Sequence, residues 1–167
     1  MLSLPQAFFT LAFYAILDIV TTRKKRATMN TSDHGKHPYI TNIETDTLEN
    51  DKFRVTKWTG SHLQLTLMCI EPNGEVGLEV HPHIDQFIRV ESGTGQVLMG
   101  SQQDALDFKA DVTGDFAILV PAGKWHNIIN TSSDEPLKLY SVYGPADHEP
   151  GTVHNTAEDA ENDPHEH

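Results

Sequence analysis

From Gly77 to Gly95 the chain reads GLEVHPHIDQFIRVESGTG. Glu79, His81, His83 and Gln86 fall within eight positions, followed by a strand-like run and a glycine turn. Side chains alternate along an extended strand, so Glu79, His81 and His83 share one face. A row of carboxylate and imidazole groups on one strand face is a natural way to hold a divalent metal. A second stretch, Gly114 to Asn130, reads GDFAILVPAGKWHNIIN and adds His126 after a Pro121-Ala122-Gly123 turn. The rest of the chain reads as the barrel that brings these two stretches together.

The 167 residues fit one domain with ragged ends. Apolar residues make up 38%, somewhat low for a globular chain and diluted by two polar termini. A formal net charge of -12 speaks against nucleic acid or any other phosphate-backbone partner. Cys69 is the single cysteine and lies in the apolar run LQLTLMCI. It allows no intrachain disulfide and reads as a small buried apolar residue.

Residues 1–37 stand outside the expected fold. Residues 2–20 are largely apolar and interrupted by Asp18, with an uninterrupted core of 11 residues from Ala7 to Leu17. A membrane span needs ~20. The basic cluster Arg23-Lys24-Lys25-Arg26 follows the apolar core, the reverse of a signal peptide and the order of a signal-anchor. Met29 opens a polar lead, MNTSDHGKHPYI, into a domain that needs nothing upstream. Translation from Met29 is therefore the first expectation and a membrane or targeting segment in residues 1–28 the second. The matching compartments are the cytoplasm, or a membrane anchor through residues 2–20.

The expected barrel covers residues 38–150. Residues 38–51 read as polar and turn-rich. Strands are predicted at 52–58, 62–70, 76–83, 86–90, 96–99, 108–112, 116–120, 125–130 and 137–143, most bounded by Gly, Pro or Asn turns, with a short break at Ile84-Asp85 between the third and fourth. On the second of these, both faces are expected to be partly covered. Asp85 and Arg89 are expected to pair on the outer face. Short strands at this spacing, with no long helix, argue for an all-β antiparallel barrel or sandwich. Residues 151–167 form an acidic tail expected to stay solvated, with Thr156 and Asp159 spaced to start a short helical turn.

These two stretches resemble the two signature motifs of the cupin superfamily, small jelly-roll β-barrels, and in particular its small single-domain, type 2 members. The second motif matches at Gly114, Pro121-Ala122-Gly123, His126 and Asn130, with one residue more than usual between Gly114 and Pro121. In the first motif, Gln86 to Gly93 has the family's Glu-to-Gly spacing, so Gln86 takes the place of the usual metal-binding glutamate. Counting back with the family spacing puts the two preceding ligands at Glu79 and His81. Taking the visible His-Pro-His as the motif puts them at His81 and His83.

The resemblance implies one divalent transition metal, Mn, Fe, Ni or Zn, held by His81, Gln86, His126 and Glu79, with His83 as the alternative fourth ligand. It implies a small-molecule partner, sugar-like or a carbonyl or enediol compound, with isomerase, hydrolase or dioxygenase chemistry. Glu79, where it is not a ligand, is the candidate general base. The alternative is a non-catalytic ligand-binding module. Cupin barrels often pair through edge strands, so a homodimer is also expected.

Overall fold

The computed structural model describes residues 29–165. The apolar segment 2–20, and with it the expectations on a membrane segment, lie outside the described residues. Among the described residues, no helix is long and apolar enough to cross a membrane.

Among the described residues, ten strands carry the fold. They are β1 (Arg54–Thr59), β2 (Gln64–Ile70), β3 (Glu79–Val80), β4 (Asp85–Ser92) and β5 (Thr94–Gly100), then β6 (Phe108–Thr113), β7 (Ala117–Val120), β8 (Trp125–Asn130), β9 (Leu137–Gly144) and β10 (Val153–His154). One sheet has the order β10-β1-β2-β9-β4-β7 and the other β3-β8-β5-β6. Every pairing is antiparallel. Consecutive strands repeatedly cross from one sheet to the other, as in a jelly roll, so the expected all-β architecture is what forms. The crossing from β4 to β5 turns at Gly93, whose φ of 94° favours glycine and whose absent Cβ would lie 2.6 Å from the Pro136 carbonyl oxygen.

Alternation sorts the interior. Inward positions of β4 are Gln86, Ile88 and Val90; those of β9 are Leu137, Leu139, Ser141 and Tyr143. Register places Gln64 beside Tyr143, Thr66 beside Ser141, Met68 beside Leu139 and Ile70 beside Leu137. One end of the interior is therefore an apolar core built on Met68, Ile70, Ile88, Val90, Leu137 and Leu139. The other end is buried but polar. The outward residues Leu67 and Cys69 are buried too, so β2 is covered on both faces as expected.

Three local expectations are corrected. The strand predicted over 76–83 is only the pair Glu79–Val80, because Pro82 has no N–H to continue a ladder and the chain turns at Pro82-His83. Residues 43–49, within the turn-rich lead, form helix α1 (Ile43–Glu49), capped by the Asn42 side chain accepting from the Thr45 N–H. Lys138 Nζ donates to the Leu48 and Asn50 carbonyls at its C-terminal end. Arg89 pairs with Glu91 at 3.1 Å and Asp115 at 2.6 Å, while Asp85 accepts from the Ala122 N–H. Asp115 has φ 74° in a tight turn closed by the Phe116 N–H donating to the Thr113 carbonyl.

Backbone on both sides of the expected barrel, residues 38–150, also contacts β1. The lead is tied to β1: His34 N–H donates to Lys57 O, and the Asp33 carboxylate accepts from Thr59. At the other end, β10 pairs with β1 and is followed by α2 (Ala157–Glu161). That short helix carries the Thr156–Asp159 capping box its sequence suggests. Tail side chains are largely solvated, but the backbone from 152 to 155 completes the sheet edge.

Candidate metal centre

The polar end of the interior holds the chemistry. Glu79 and His126 are cross-strand partners in the β3–β8 register, so their side chains leave neighbouring backbones on one face. Glu79 Oε1 lies 3.2 Å from His126 Nε2. His81, just past the end of β3, brings its Nε2 to 3.4 Å from the same oxygen. The two imidazole rings are 5.3 Å apart. Among the described residues, these are the one set of three His, Cys, Asp or Glu side chains whose ligand atoms all lie within 4.8 Å of one another.

The Pro121-Ala122-Gly123 turn does two positioning jobs. Gly123 N–H donates to the His81 carbonyl at 2.8 Å, which pins the first stretch to the second. His126 Nδ1 donates to the Lys124 carbonyl at 2.9 Å, which leaves Nε2 to face Glu79. His126 itself is only 1% exposed.

Gln86 is buried on the inward face of β4. Its Nε2 donates to Ser141 Oγ at 3.3 Å, while its Oε1 is buried without a hydrogen-bond partner. His83 is exposed beyond the turn and is not one of the converging three. It lines the mouth of a cavity of about 410 Å³, together with Glu79, His81, Asp147 and His148.

The electrostatics follow from the packing. Burial alone would raise the Glu79 carboxyl, but hydrogen bonds from His126 and His81, and their charge, outweigh it and hold the group well below the usual carboxylate range. Burial likewise opposes charge on His81. Contacts to Asp147 and then Glu79 reverse that and push its pKa up to about 9. Tyr143 packs edge-on between His81 and His148, and burial keeps its phenol firmly protonated.

Residues 66–143 match the Cupin domain family. YrkC of Bacillus subtilis, an uncharacterized protein, is 51% identical over 128 residues, covering 77% of this chain and 68% of its own. The chain belongs to the cupin superfamily. An uncharacterized protein of Acanthamoeba polyphaga mimivirus, L612, is 43% identical over 115 residues, covering 69% of this cupin and 70% of itself. The crystal structure of BH2720 from Bacillus halodurans superposes with a TM-score of 0.78 at 53% identity, covering 79% of this chain and 99% of that one. TT1209 from Thermus thermophilus shares the fold alone, at 21% identity and a TM-score of 0.54 over 64% of this chain and 96% of that one.

Within this cupin, sequence reasoning missed one residue that touches the trio. Asp147 Oδ1 lies 3.3 Å from His81 Nδ1, on the side of the ring away from Glu79. It sits in the loop after β9, outside both motifs, and no spacing rule reaches it.

Proposed function

We propose that this cupin holds one divalent transition metal through Glu79, His81, His126 and Gln86, and uses it on a small molecule in the adjoining cavity. The observation that carries the reading is the meeting of Glu79 Oε1 with both Nε2 atoms; the buried, unpartnered amide oxygen of Gln86, cross-strand from Tyr143, supports a fourth ligand. An ion bonded at ~2.1 Å sets neighbouring ligand atoms ~3.0–3.4 Å apart, and the separations here are 3.4 Å and 3.2 Å. An orphaned buried acceptor costs about 1–3 kcal/mol, and coordination by Gln86 Oε1 would relieve it. The mixed nitrogen and oxygen set suits Mn, Fe, Ni or Zn.

Bound there, such an ion supplies Lewis acidity toward a carbonyl or enediol oxygen. The chain supplies the rest. His81 and His126 hold the ion through fixed tautomers, and Glu79, touching both, is a ligand in this reading and not a free base. Tyr143 keeps its proton and borders the site as a neutral hydrogen-bonding group. The cavity fits a sugar-like or carbonyl compound undergoing isomerisation or hydrolysis.

Metal content by mass spectrometry on the purified chain tests this. Near one equivalent is expected, lost in His81→Ala and much reduced in Glu79→Ala. A metal-free protein that stays empty after reconstitution with Mn, Fe, Ni and Zn salts would sink the reading, leaving a passive ligand-binding barrel. Tight small-molecule binding with no turnover by the metal-loaded protein would sink its catalytic half alone.

A further inference from the structure

We propose that Asp147 is a positioning residue for His81, held in place by the buried amide of Gln64. The inference rests on the metal reading above, but its geometry stands on its own. Asp147 Oδ1 meets His81 Nδ1 at 3.3 Å, while His81 Nε2 faces Glu79 on the far side of the ring. One imidazole is thus gripped at both nitrogens. Once an ion displaces the Nε2 proton, an Nδ1–H held on a carboxylate keeps the Nε2 lone pair directed at the metal position and raises the basicity of that nitrogen.

A loop carboxylate can do this only when the loop is fixed, and Gln64 fixes it. The side chain is wholly buried at the start of β2. Its Oε1 accepts from the Asp147 N–H at 3.2 Å and the His148 N–H at 2.9 Å. Its Nε2 donates to the His148 carbonyl at 2.8 Å and to Thr59 Oγ1 at 3.0 Å. Both ends of the amide are therefore engaged in holding the loop. Thr59 Oγ1 in turn donates to Asp33 Oδ2 at 2.5 Å, which also accepts from the Gly151 N–H at 3.1 Å. Hydrogen bonds run unbroken from the lead at Asp33 through Thr59 and Gln64 to the loop, and the Asp147 side chain carries the contact to His81. The far oxygen of Asp147 lies 3.7 Å from His148 Nε2, so the carboxylate is bracketed by two rings.

The test uses Co²⁺ alone as probe on the full chain, with Asp147→Ala, Asp147→Asn and Asp147→Glu. Co²⁺ affinity is read by chelator competition and site geometry by the visible Co²⁺ spectrum. The imidazole ¹⁵N shifts of the metal-free protein are read beside them. Loss of such an outer carboxylate typically weakens metal binding about 10–100-fold, and that loss is expected for Asp147→Ala, with a changed Co²⁺ spectrum and partial recovery in Asp147→Glu. His81 Nδ1 should lose its hydrogen-bonded proton signal in Asp147→Ala. Unaltered Co²⁺ affinity and unaltered His81 shifts would overturn the proposal, even where thermal stability falls. If the wild-type chain fails to bind Co²⁺, the metal reading is lost, and the His81 shifts alone decide the role of Asp147. Should Asp147→Ala not fold, the Asn and Glu variants answer the same question.

Discussion

His81 carries two partners of opposite consequence for a metal. The carboxylates of Asp147 and Glu79 that hold it also favour its proton, pushing its pKa up to about 9. In the metal-free protein this group is raised above its ordinary value of ~6.5, so its contribution to stability is complete below that pH and is lost as pH rises through about 9. Glu79 is lowered, so its contribution is present above ordinary carboxylate pH and is lost only in strong acid. Urea midpoints of the metal-free protein should therefore fall between pH ~6.5 and about 9. Metal affinity should move the opposite way, because the ion must displace the His81 proton: about tenfold tighter per pH unit below 9, then level. A pH titration of Co²⁺ affinity that is flat from about 6 to 9 would contradict this.

Gln86 is the other residue whose substitution separates two accounts. Replacing it by Leu removes an unsatisfied acceptor along with its bond to Ser141. We expect metal-free stability to change by less than about 1 kcal/mol, or to rise, while Co²⁺ affinity drops about tenfold or more. A large loss of stability with unchanged affinity would make Gln86 a structural amide only.

Between elements, the polar side chains act as ties. Asn130, at the end of β8, donates from Nδ2 to the carbonyls of Ile70, Glu71 and Glu135, while its Oδ1 accepts from the Ser132 N–H. It thereby joins the ends of β2, β8 and β9 at the apolar end, away from His126 by four positions along the strand. Asn130→Ala strands several buried carbonyls and should cost about 2–4 kcal/mol in denaturant melts, with metal content unchanged. The family motif that includes Asn130 thus joins a residue that ties strand ends to a candidate ligand, His126. Gln64 is the equivalent tie at the polar end. Nothing in the run HLQLTLMCI singles Gln64 out, because the partner loop lies 84 positions away at His148. The short β3 shows the same limit from the other side: period-two parity placed Glu79, His81 and His83 on one face, and Pro82 broke it after His81.

At the scale of the molecule, both ends of the described chain close on β1. The lead reaches it through Asp33 and His34, and β10 pairs with it at Arg54 and Val55. Truncation after Pro150 removes that edge strand and uncovers Val55, which is wholly buried. Such a truncated chain should melt well below the full chain, by several degrees or more. It should also bind Co²⁺ more weakly, since the Gly151 bond to Asp33 is part of the brace behind Asp147. Equal melting temperatures would return residues 151–167 to a dispensable tail. The all-β class was legible in the sequence because alternation and turn residues are local properties, and the candidate ligands Glu79, His81, Gln86 and His126, with His83 as alternative, came from the resemblance of two stretches to the cupin motifs. Helix α1, the docking of both ends and Asp147 were not legible there, because each depends on contacts between residues far apart in the chain. Only the closed sandwich decided that Glu79 meets both histidines and that His83 is left at the rim: the β3–β8 register sets the first, and a proline turn sets the second.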